Sequence, residues 1–184
     1  MMDESLNYFA YGSNLHPARL QARIGACHVR DVALLAGASL CFHKVGLDRS
    51  GKCDISFQQQ TATGVWGVIY QISPEQRGQL DQFESLGAGY QIREVEVLTR
   101  DMQTLKVFTY HAMSEFIDAQ IQPFDWYHEL VLQGARFHGF PAEYLEQLLQ
   151  VELVIDSDSN RISQAQQIMQ SMRDFSAYRT GERH

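Results

Sequence analysis

What is scarce in this sequence narrows its function before any motif is read. Cysteine occurs three times in 184 residues, as Cys27, Cys41 and Cys53, an odd number without metal-type spacing. Reduced thiols serving as small buried fillers are the simplest reading. Long apolar runs are missing too, since no window approaches the roughly 20 residues of a membrane span. The opening stretch, MMDESLNYFAYG, has no basic region followed by an apolar segment, so no signal peptide is expected. Positive charge is in deficit: 15 Lys and Arg against 22 Asp and Glu leave a net charge of −7. Nucleic acid and anionic membrane surfaces are therefore poor principal partners. The seven histidines show no H-x-H or H-E-x-x-H spacing, so no metal is expected. These absences together describe a cytoplasmic protein without nucleic-acid or membrane partners.

What is present suits one domain over residues 1–184, long enough to bury a core. There is no repeat, low-complexity tract or linker. Residues 7–11, NYFAY, suit a short strand. HPARLQARIG follows as a short helix, with Pro17 in its first turn and Gly25 just past its end. Residues 29–46 read as strand bent at Gly37, LDRSGKC as a turn cluster, and DISFQQQ at 54–60 as the returning strand. GVWGVIYQI at 64–72 is apolar on both faces, as a strand covered on both sides would be. A helix then opens on Ser73 with Pro74 first and Gln76 completing a capping box, and Gly87 or Gly89 ends it. Residues 90–99 and 104–113 form two strands around an RDMQ turn, with a bulge expected between Ile92 and Val95. From Pro123 the chain is helical, over 125–139 and 141–154, with a weaker helix over 162–179. Strands first and helices later indicate α+β.

Two features can carry chemistry. A strand, Gly12-Ser13-Asn14 and a helix start bring several backbone N–H groups to one point, which suits a carboxylate or an oxyanion. A plain turn has the same sequence. Glu84 lies roughly 40° round its helix from Leu80, beside the apolar stripe. A carboxylate there is costly unless paired or useful, and burial raises its pKa towards the range of a general base. The alternative is a salt bridge with an Arg or Lys.

A third segment brings a family into view. YFAYGSNL at 8–15, GVWGVIYQI at 64–72, LDQFESLGAGY at 80–90 and GARFHGFPAEYLEQL at 134–148 fall in the order found in the γ-glutamylcyclotransferases. The chain resembles that family from about Tyr8 to Glu152, which defines a core over 7–152 and a C-terminal helical extension over 157–184. The resemblance implies an α+β fold built on a small mixed β-barrel with flanking helices. It implies a cofactor-free reaction in which the α-amine of a γ-glutamyl compound attacks its own γ-carbonyl, giving 5-oxoproline and the released amino acid or amine. Glu84 matches the catalytic acid/base. Tyr11, Gly12, Ser13, Asn14 and Leu15 match the loop that holds the glutamyl end. Tyr110 and Tyr127 align with tyrosines lining the pocket.

The residues fit that chemistry. Nucleophile and electrophile are already tethered, so no covalent Ser or Cys is needed, and correct orientation is worth effective molarities of about 10⁵–10⁸ M. Glu84 can take the amine's proton and pass it to the leaving nitrogen, for roughly 10²–10⁴-fold. The Gly12–Leu15 amides can hold the α-carboxylate or the oxyanion. The partner is a small γ-glutamyl molecule. Lys44, Arg49 and Lys52 are candidates for reading a second carboxylate, and the tail beyond Ser157 for docking on the barrel or forming a homodimer.

Three other readings compete. Ser13 as a hydrolase nucleophile lacks the second glycine of G-x-S-x-G and a marked histidine. A non-catalytic small-molecule-binding module on the same fold is a second. The third is a related cyclotransferase, acting on γ-glutamylamines or removing a γ-glutamyl protecting group from a biosynthetic intermediate. A glutathione-specific enzyme fits less well, because YGSN rather than YGSL opens the site.

Overall fold

The computed structural model describes residues 5–57 and 64–181, with side chains described to Ser176. Seven strands and five α-helices are present among the described residues: β1 (Leu6–Ala10), α1 (Pro17–Ile24), β2 (His28–Leu35), β3 (Ser39–Val45), β4 (Gly51–Ser56), β5 (Val65–Ile72), α2 (Pro74–Phe83), β6 (Tyr90–Thr99), β7 (Thr104–Ala112), α3 (Asp125–Phe137), α4 (Ala142–Leu149) and α5 (Ser159–Gly181). Five strands close into a barrel in the order β1-β5-β2-β6-β7, and β3 pairs with β4 in a separate two-stranded ribbon. The barrel is mixed, because β1 meets β7 in parallel at Tyr8 and Phe108 while the other pairs are antiparallel. The expected α+β barrel with flanking helices is what the chain forms.

The centre of the barrel follows from β5. Val65, Val68, Ile69, Tyr70 and Ile72 are all buried, so residues of both parities leave solvent. One face fills the barrel and the other lies under the helices. Each such side chain contributes about 1.5–3 kcal/mol relative to exposure. α2 starts as its sequence dictates: Gln76 N donates to Ser73 Oγ at 3.1 Å and Ser73 N to Gln76 Oε1 at 2.9 Å. Gln76 Nε2 also donates to the carbonyls of Ile24 and Ala26, which ties the start of α2 to the end of α1.

Several expectations need correction. The strand expected to bend at Gly37 is two strands, because Gly37 adopts φ 70 and sends β3 out of the barrel to pair with β4. The strand expected over 54–60 is β4, shifted earlier, and positions 58–60 lie outside the described residues. No bulge separates Ile92 from Val95, since β6 pairs with β7 in one register from Tyr90↔Ala112 to Leu98↔Thr104. The apolar phase changes because its two ends are covered from different sides. Tyr90 donates to the Cys53 carbonyl on β4 at 2.6 Å, while Val97 is buried in the core. The register shifts instead between Val29 and Asp31, where β2 meets β5.

The fourth correction is α4, which stops at Leu149 rather than running to Val154. Val154 leaves the helix to exchange hydrogen bonds with the Pro123 carbonyl and the Asp125 amide, each at 3.0 Å. Beyond it, Asp158 accepts from the amides of Asn160 and Arg161 at 2.9 and 3.0 Å, so α5 begins earlier than expected. It packs on α1 and α3, burying Ala165 and Met172. None of the described helices is long and apolar enough to cross a membrane.

Candidate active site

The loop after β1 is pinned from behind. Leu15 N donates to the Gly12 carbonyl at 3.0 Å, and the Leu15 carbonyl accepts from Tyr70 Oη at 2.7 Å and from His138 Nε2 at 2.8 Å. Leu15 is therefore a buried anchor whose side chain and amide face away from the cavity, unlike the other loop residues. Gly12 sits so close to β4 that an added Cβ would lie 2.8 Å from Cys53 Cβ. Only hydrogen fits there. The amides of Ser13 and Asn14 make no hydrogen bond among the described residues, and both residues line the cavity in front.

That cavity is a narrow slot of about 30 Å³. Five of the chain's eight tyrosines surround it: Tyr8, Tyr11, Tyr90, Tyr110 and Tyr127. Their hydroxyls are spoken for. Tyr11 donates to the Tyr110 carbonyl at 2.6 Å, Tyr110 to Asp81 Oδ1 at 2.5 Å and Tyr90 to the Cys53 carbonyl. Tyr127 Oη accepts from Cys53 N at 3.1 Å. Burial, then the neighbouring Asp81 carboxylate, raises the Tyr110 hydroxyl well above an ordinary phenol. These groups remain neutral and shape the slot.

Glu84 stands at its mouth. It is not within the helix but caps it, with φ −84 and ψ 0, and Ser85 follows in the left-handed region at φ 50. This reversal swings Glu84 inward and leaves Phe83 exposed. Asn14 Nδ2 donates to Glu84 Oε1 at 2.8 Å. Arg23, in the last turn of α1, lies 3.4 Å from the same oxygen and donates to Asn14 Oδ1 at 2.9 Å. Asn14 Nδ2 is also 3.2 Å from Tyr8 Oη. The useful carboxylate and the salt-bridged one are thus the same residue. Burial raises its pKa, and Arg23, the Asn14 amide, Lys44 and Arg19 oppose the rise without cancelling it.

Of the positions singled out from sequence, Tyr11, Gly12, Ser13, Asn14, Glu84, Tyr110 and Tyr127 meet around the slot, and Leu15 does not. Lys44 and Lys52 line a wider cavity next door, while Arg49 points to solvent at the hairpin tip. No histidine borders either cavity among the described residues, so the histidine partner that a serine nucleophile would use is not beside Ser13. Sequence reasoning missed Tyr8, Tyr90, Cys53, Asp81, Arg19 and Arg23. Arg19 and Arg23 left a trace, being four apart in ARLQAR and hence on one helix face.

Proteins similar in sequence and fold define a class. Residues 64–148 match the AIG2-like family model. A human protein named gamma-glutamylcyclotransferase is 30% identical over 158 residues, 82% of this chain and 80% of its own length. A mouse protein of the same name is 29% identical over 153 residues, 81% of this chain and 80% of its own. A solved structure named gamma-glutamyl cyclotransferase superposes with a TM-score of 0.78 at 25% identity, covering 89% of this chain and 99% of that one. A human structure described as an uncharacterized protein gives 0.77 at 28% identity, covering 85% and 93%. The chain belongs to the γ-glutamylcyclotransferase family.

Proposed function

We propose that this protein is a cofactor-free γ-glutamylcyclotransferase acting on γ-glutamyl amino acids or peptides. The observation that carries the reading is the Glu84 carboxylate, placed where slot and outer cavity meet, held by Asn14 and Arg23, with its pKa raised by burial. The glutamyl group occupies the slot, its oxygens facing the amides of Ser13 and Asn14 and its chain flanked by tyrosine rings. The α-amine attacks the γ-carbonyl in its neutral form. As the new C–N bond forms, the amine sheds a proton to Glu84. The same carboxylic acid then protonates the departing nitrogen as the old C–N bond breaks, leaving 5-oxoproline and a free amino acid. Glu84 ends as it began, and no water enters the products. A raised pKa suits both halves of this relay, because a group poised near the working pH both accepts and returns a proton readily.

The test is product identity. Incubation with a panel of γ-glutamyl amino acids and γ-glutamylamines should release 5-oxoproline and the free amine in equal amounts. Free glutamate in place of 5-oxoproline would mean hydrolysis, and no release from any compound would contradict the proposed activity.

A further inference from the structure

The slot opens outward into a second cavity of about 280 Å³. Ser13, Glu84, Tyr90 and Tyr127 border both spaces, so whatever leaves the reacting carbon passes into the outer one. Its walls hold four cations, Arg19, Arg23, Lys44 and Lys52, against two acids, Glu84 and Asp48. This excess of positive charge occurs in a chain whose net charge is −7.

The four cations are not equally engaged. Lys52 Nζ bonds Asp48 Oδ2 at 2.7 Å, and Arg23 is committed to Asn14 and Glu84. The Arg19 guanidinium makes no hydrogen bond or ion pair among the described residues, and its Nε is closed off from solvent with no acceptor. The buried Lys44 ammonium lies 4.8 Å from the centre of the Tyr90 ring and has no carboxylate partner among the described residues. Burial, then repulsion by Arg23, pushes the Arg19 pKa down to about 10, so it stays charged near neutrality. A desolvated cation without an acceptor is costly, and charge-assisted hydrogen bonds are the strong ones. An arginine held in that state at a cavity wall is short of one anion. The glutamyl group's own carboxylate is an unsuitable candidate, because Arg19 borders the outer cavity and not the slot.

We propose that Arg19, together with Lys44 in the lining of the same cavity, binds a free carboxylate on the leaving group, so that the outer cavity selects γ-glutamyl amino acids over γ-glutamylamines and amides. This rests on the cyclotransferase reading above. Arg19 is then a specificity residue: it touches the part of the substrate that departs and takes no part in proton transfer.

The experiment measures kcat/KM for γ-glutamylalanine, γ-glutamylalaninamide and γ-glutamylethylamine with the wild type, Arg19→Met and Arg19→Lys, following 5-oxoproline. Wild type should favour the acid over the amide by roughly 10- to 100-fold, the range of a hydrogen bond to a charged group. Arg19→Met should lose that preference by falling much further on the acid than on the amide or the amine, and Arg19→Lys should retain part of it. Thermal unfolding checks each variant. Should Arg19→Met not fold, the wild-type ratio and Arg19→Lys decide. Equal wild-type turnover of acid and amide, or an equal fall on all three substrates in Arg19→Met, would overturn the assignment while leaving the reaction intact. No 5-oxoproline from any substrate with wild type would remove the reaction, and this proposal with it.

Discussion

Asn14 and Glu84, seventy positions apart, are joined by a hydrogen bond of 2.8 Å between the loop's side-chain amide and the carboxylate. The bond links the two sequence features that can carry chemistry, and it leaves Glu84 little freedom to rotate. Asn14 is itself buried and is fixed by Arg23 and Tyr8, so the geometry of the carboxylate is inherited from α1 and β1. A change in any of the three should therefore be felt at Glu84.

The sign of that effect can be worked out. Arg23 is the largest influence holding the Glu84 pKa down, with the Asn14 hydrogen bond next. Removing either favours the protonated form. If Glu84 must be ionised to accept the amine's proton, the acidic limb of the kcat/KM–pH profile moves to higher pH. Arg23→Met should shift it more than Asn14→Ala. A limb that stays in place in both variants would mean that Glu84 does not set it.

Gly12→Ala tests the close approach of the loop to β4. The new methyl must displace Cys53, a buried residue whose backbone is held by Tyr90 and Tyr127. Overpacking of this kind costs about 1–3 kcal/mol. Thermal unfolding should show the loss, and kcat/KM should fall as well, because Ser13 and Asn14 move with the loop. Full activity and stability would show that the contact relaxes freely.

Asp156 locks the start of α5 to α3. Its carboxylate bonds Arg161 twice at 2.7 Å and Trp126 Nε1 at 2.8 Å, and Arg161 holds its pKa well below the usual carboxylate range. Asp156→Ala removes these bonds, although Arg161 still meets Asp158 at 3.3 Å, and should lower Tm by roughly 5–10 °C. A depressed folded pKa means that the stabilisation is complete above the unfolded value near 4 and is lost as pH falls below it. The variant should show a correspondingly smaller loss of stability in acid.

Much of this was legible because its causes are local. The capping box at Ser73 and Gln76 needs only four residues. The turn at Gly12–Asn14 and the two-sided burial of β5 are likewise written in short stretches, and the order of four segments pointed to the family. What escaped depends on pairings distant in sequence. Whether Gly37 bends one strand or ends it is decided by the ribbon partner β4, not by the residues around it. Arg19 and Arg23 lie four apart in the sequence, which does not say what they face until α1 is placed against α2, and Tyr8 and Tyr90 read as strand residues until the barrel brings both to the slot. Leu15 belongs to the YGSNL signature yet serves from behind, tied to Tyr70 and His138.

The most direct test of the central claim is 5-oxoproline release by Glu84→Gln beside the wild type. Glutamine keeps the shape and can still meet Asn14, but it can neither take nor return the proton. Turnover should fall by roughly 10²–10⁴-fold with unfolding temperature little changed. A variant that released 5-oxoproline at the wild-type rate would show that Glu84 does not carry the proton and would contradict the mechanism.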